Sequence, residues 1–69
     1  MKYAIVIEKT ATGFSGYVPD LPGIGVAGET RAKVRRLLAE AVTIYVVAKR
    51  SRGARPPRST TVAEYVHAA

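Results

Sequence analysis

The chain has 69 residues and a formal charge of +6, so it makes one domain over residues 1–69. A domain of this size buries only about 60% of its unfolded surface. With no cysteine and one histidine, the composition excludes a disulfide framework and a soft zinc cluster, which leaves self-association as the remaining staple. No cofactor is expected. No run of about twenty apolar residues is present and no leader pattern opens the chain, so the sequence is read as cytoplasmic with no membrane segment. A sequence pI of about 10.2 suits an acidic partner.

In chain order, Lys2 to Glu8 reads as a strand with Tyr3, Ile5 and Ile7 on one face and Ala4 and Val6 on the other. Both faces are apolar, which predicts an inner strand, because an edge with two apolar faces invites aggregation. Lys9 to Gly13 reads as a hairpin loop with Gly13 in the left-handed conformation, and Phe14 to Val18 returns antiparallel to the first strand.

The stretch Tyr17, Val18, Pro19, Asp20, Leu21, Pro22, Gly23 is a rigid corner. Each proline fixes its own φ and holds the residue before it extended, so Val18 and Leu21 stay out of helix. Asp20 is placed to bond its own backbone, and Pro22-Gly23 fits the centre of a type II turn with Gly23 supplying the positive φ. After the corner, Ile24 to Ala27 reads as a short third strand at an edge, since its glycines offer little side chain to pack.

Thr30 is the expected N-cap of a helix running to about Arg50, although Lys33 stands where a capping box would place Glu or Gln. Val34, Leu37, Leu38, Ala41, Ile44, Tyr45 and Ala48 follow one helical stripe and would lie on the sheet. Val42, Val46 and Val47 fall outside that stripe and form a candidate oligomer interface. Residues 49–59 are basic, contain Gly53 and Pro56-Pro57, and read as a linker or arm. Thr60 to His67 regains strand character, with Val62 and Val66 on one side and Ala63 and Tyr65 on the other.

The acids are Glu8, Asp20, Glu29, Glu40 and Glu64, and their scatter argues against the carboxylate cluster that a two-metal nuclease requires. His67 has no evident nucleophile or orienting acid beside it, so no triad is expected either. The chain is read as non-enzymatic, with no catalytic residue, no metal ligand and no cofactor-binding residue.

Charge is distributed unevenly. From Arg31 to Arg58 the cations Arg31, Lys33, Arg35, Arg36, Lys49, Arg50, Arg52, Arg55 and Arg58 face the lone acid Glu40, making this region +8 and the remainder −2. Arg31 and Lys33 sit in the first helical turn, where the macrodipole disfavours each cation by about 0.3 to 1 kcal/mol. These nine residues are the candidate contacts for nucleic acid or another anion, through phosphates and without sequence preference.

The series Met1-Lys2-Tyr3, Ile5 to Lys9, Gly13-Phe14 and Tyr17 to Gly23, followed by Gly28-Glu29-Thr30 and a helix, resembles the HicB-like antitoxin family. The resemblance runs from Met1 to about Arg50, and its most specific part is the Val-Pro-Asp-Leu-Pro-Gly string. It implies a partial ribonuclease H-like fold, with the last strand beside the first, and a protein that binds and silences a small RNA-cleaving toxin of the HicA type. Family members usually carry acids in the first helical turn, where this chain has Arg31 and Lys33. Many also continue into a DNA-binding segment, so with the sequence stopping at Ala69 no operator binding of that kind is expected.

These readings combine into an α+β domain of order β-β-β-α-β, a small four-stranded sheet with one helix on one face. The expected function is that of an antitoxin-like binding protein, a homo-oligomer that neutralises a HicA-like toxin by contact. The alternative is a small basic nucleic-acid-binding module on the same scaffold.

Overall fold

A computed structural model describes residues 1–69 as strands β1 (Val6–Lys9), β2 (Phe14–Tyr17) and β3 (Gly25–Gly28), followed by the helix α1 (Arg31–Ser51). The strands form one antiparallel sheet in the order β1-β2-β3, with Val6 opposite Tyr17 and Tyr17 opposite Gly25. The architecture is therefore α+β, three strands and one helix.

β1 is shorter than the alternation predicts and is an edge rather than an inner strand. Continuing its register would place Ala4 opposite Pro19, which has no N–H to donate, so the ladder ends where the corner begins. The β1–β2 turn closes through Thr10 N–H donating to the Gly13 carbonyl at 2.8 Å and Gly13 N–H donating to Thr10 Oγ1 at 3.1 Å. Gly13 does not take the expected positive φ. It is needed for closeness instead, because a Cβ there would stand 2.4 Å from the Gly28 carbonyl oxygen.

Alternation along the strands sends Ile7, Phe14, Gly16 and Val26 to the helix side of the sheet, where Tyr3 and Ile5 join them. The helix lies mainly over β2 and β3 and touches β1 least. Gly16 is the point of closest approach: an added Cβ would meet Leu38 Cδ1 at 2.7 Å and Val34 Cγ1 at 2.8 Å.

α1 starts as its sequence requires, with Thr30 extended and its hydroxyl accepting from Lys33 N–H at 3.1 Å. It ends one residue beyond the expected Arg50. Gly53, which the sequence placed in a linker, adopts φ 73° and closes the helix as a Schellman motif: its N–H donates to the Arg50 carbonyl while Ala54 N–H donates to that of Lys49. Within the stripe, Val34 and Leu38 are buried and Leu37, Ala41, Tyr45 and Ala48 are half-buried. Ile44 departs from it at 69% exposure, and Val42 packs against the core in its place. The sheet lies to the β1 side of the position that the stripe of seven residues indicates.

No fourth strand forms over Thr60 to His67; these residues are exposed and make no ladder. The segment nevertheless runs back along the sheet beside β1. Tyr3 donates its hydroxyl to the Pro57 carbonyl, and Tyr65 reaches the neighbourhood of Ile5 and Ile7, so tail and β1 advance in the same direction.

Candidate functional site

The proline corner supplies two of the four buried core side chains. Leu21 N–H donates to the Val18 carbonyl at 3.1 Å and Ile24 N–H to the Leu21 carbonyl at 3.4 Å, which makes two successive turns. Gly23 has φ 89° at the third position of the second turn, as a type II turn requires. Val18 at 2% and Leu21 at 0% exposure, each standing immediately before a proline, complete the core with Val34 and Leu38. The corner thus works through its apolar residues, and its prolines and glycine set where those residues point.

Asp20 does not bond its own backbone. Its Oδ2 accepts the backbone N–H groups of Thr60 and Thr61, each at 3.0 Å, while its Oδ1 accepts their hydroxyls at 3.2 and 2.7 Å. These bonds hold the carboxyl below its ordinary value of 3.8, the Thr61 N–H contributing most. They also explain the missing strand, since the donors that would begin a ladder are already occupied. Thr60 and Thr61 had no local signal of this role, because their partner is forty residues away.

Two shallow hollows lie between β1 and the helix flank. The larger, about 630 Å³, is lined by Ile5, Ile7, Lys9, Phe14, Arg31 and Tyr65. The second, about 400 Å³, shares Ile5 and continues through Tyr3, Arg35, Ala39 and Val42. They exist because the helix covers β2 and β3 and leaves the apolar helix-side face of β1 partly bare. Sequence reasoning placed Tyr3, Ile5 and Ile7 on one apolar face of an inner strand and missed the gap above them.

Val42, Val46 and Val47, singled out for an oligomer interface, do lie together, in a concavity with Met1, Tyr3, Thr43 and Arg50. The nine cations, by contrast, do not converge. Arg31, Lys33, Arg35 and Arg36 lie on the first turns of α1, whereas Lys49, Arg50 and Arg52 lie at its other end, about 28 Å from Arg31 to Arg50 at the helical rise. Arg55 and Arg58 follow in the exposed arm. The single ion pair of the structure, Arg36 with Glu40 at 3.3 Å, is exposed on both sides. Lys9 stands over Phe14 and Lys49 over Tyr45, with the ammonium 5.8 and 5.5 Å from the ring centres. No group of three or more His, Cys, Asp or Glu side chains is close enough to hold a metal ion, and no helix is long and apolar enough to cross a membrane.

Comparison with protein families finds a match to the HicB_like antitoxin of bacterial toxin-antitoxin system, covering residues 3–69. The chain belongs to this family. The match includes the corner, the helix and also the arm and tail, so it extends beyond Arg50, where the resemblance read from the motifs ended. No curated protein and no solved structure matches the chain.

Proposed function

We propose that this chain is an antitoxin-like binding protein that neutralises a small RNA-cleaving toxin of the HicA type by direct contact. The observation that carries the reading is the family match over residues 3–69. The chain acts as one cytoplasmic domain over residues 1–69, without catalysis and as an oligomer. In this reading the tail lies where the fourth strand of a partial ribonuclease H-like sheet would stand. Its parallel course beside β1, from Pro57 at Tyr3 to Tyr65 near Ile7, supports that placement.

A second reading, a nucleic-acid-binding module, is favoured by the +8 charge between Arg31 and Arg58, where one cation alone is ion-paired. One experiment separates the two. An RNA-cleavage assay with purified HicA-type toxin should show cleavage suppressed at one equivalent of this chain, and suppression should survive moderate salt because apolar anchors dominate packed interfaces. The chain alone, with magnesium or manganese, should leave RNA intact. Uninhibited toxin together with direct RNA binding would favour the second reading. With six phosphate contacts, that binding would weaken roughly a thousandfold between about 50 and 200 mM salt.

A further inference from the structure

We propose that the two joined hollows between β1 and the first three turns of α1 bind an extended segment of a partner protein in which apolar side chains alternate with carboxylates. The antitoxin reading leaves open which face meets the partner; this inference specifies it and takes from that reading only the partner's identity.

The floor is apolar: Ile5, Ile7 and Phe14 on the sheet, Ala39 and Val42 on the helix. The charged lining residues are Lys9, Arg31 and Arg35, with no acid among the residues that line either hollow. Arg31 and Arg35 have no carboxylate within salt-bridge distance, and no acid occupies the first helical turn. The macrodipole adds positive potential at the same end. Cations held there without a counter-charge lower the stability of the free chain, and a carboxylate-bearing partner relieves that cost.

Three features choose among occupants. A second copy would bring the same cationic rim against this one, which is repulsive. A nucleic-acid backbone would satisfy the rim but leave the apolar floor without a partner. An extended polypeptide meets both needs. Ile5 and Ile7, two residues apart on the helix-side face of β1, offer an apolar floor at the spacing of alternate side chains of such a segment. From Arg31 to Val42 the helix rises about 16 Å, a length matched by about five extended residues. The chain's own Tyr65 stands at the mouth with its ring uncovered, so it borders the hollow without filling it.

The test is an amide-resolved titration of the full chain with a short capped peptide alternating valine with glutamate, beside a control alternating valine with lysine. The glutamate peptide should shift the amides of Ile5, Ile7, Phe14 and Arg35, and the lysine peptide should not. The double variant Arg31→Glu, Arg35→Glu should bind the glutamate peptide about tenfold more weakly, whereas Arg55→Ser, Arg58→Ser should bind it as the parent does. Both reversed positions are exposed and lie in the first turns of α1, where acids suit the macrodipole, so lost binding would not report unfolding. Equal response to both peptides, shifts remote from the hollows, or tighter binding of a single-stranded RNA at the same amides would overturn the proposal. A toxin that binds parent and double variant equally would remove this surface and leave the antitoxin reading standing. Glutamate-peptide binding without toxin inhibition would do the reverse.

Discussion

A methyl group at Gly16 would lie 2.7 Å from Leu38 Cδ1, 2.8 Å from Val34 Cγ1 and 3.0 Å from the Val6 carbonyl oxygen. Two of these neighbours are fully buried side chains and the third is strand backbone, so nothing can yield without disturbing the core or the β1–β2 ladder. Gly16→Ala should therefore destabilise by about 1 to 3 kcal/mol, the usual range for overpacking, and a urea titration would read it as a lower midpoint. At Asp20 the consequence concerns the tail. Its carboxyl is held below 3.8 by donors from Thr60 and Thr61, so the folded-state pKa is depressed. The contribution is then fully present above that ordinary value and is lost as pH falls through the folded one. Amide signals of Thr60 and Thr61 should move towards free-chain positions on acidification below 3.8, and in Asp20→Asn they should do so at neutral pH, with the α1 signals unchanged. Tail signals indifferent to both changes would show that the carboxylate does not hold the segment in solution.

At the scale of elements, the parts of the fold legible in the sequence are those fixed by local chemistry. Thr30 and the Pro-Gly corner each act within a few residues and stand where the sequence puts them, and the apolar stripe does so except at Ile44, whose place against the core Val42 takes. The parts that were not legible depend on distant partners. β-Propensity in Thr60 to His67 is not sufficient for a strand once the Asp20 carboxylate accepts the Thr60 and Thr61 N–H groups. Gly13 and Gly16 are required by approach to Gly28, Val34 and Leu38, contacts that no local pattern encodes. The hollows beside β1 follow from where the helix rests across the sheet, so the site residues were readable as apolar or basic but not as neighbours. The caps carry their own prediction. Thr30→Ala removes the acceptor for Lys33 N–H and should cost about 1 kcal/mol. Gly53→Ala forces a Cβ into a left-handed φ of 73° and should cost a similar amount, about 1 kcal/mol. The two ends are far apart, so the double change should sum them in a thermal melt.

For the whole molecule, size and surface argue for assembly. A compact domain of 69 residues has a radius of gyration near 11 Å, whereas this chain has 13.5 Å and extends 46 Å along its longest axis. Its accessible surface is 5551 Å², against about 4,200 Å² for a compact monomer of 7.4 kDa. The surplus, about 1,300 Å², exceeds the roughly 800 Å² that each partner contributes to a standard interface. Part of it is the exposed tail, where Val62, Tyr65 and Val66 stand in solvent, and part is the far end of α1, where Val47 is 58% exposed beside Val42 and Val46. That end is separate from the cationic rim at Arg31 and Arg35, and Tyr3 and Val42 border both surfaces. Light scattering at micromolar concentration should give a dimer or higher mass, and Val46→Glu with Val47→Glu should reduce it to the monomer. Val46 is half-buried and Val47 is exposed, so the variant should keep its helical circular dichroism while the mass falls. A monomeric parent would end the assembly prediction, and an unchanged mass in the double variant would move the interface to the edge of β1 or to the tail.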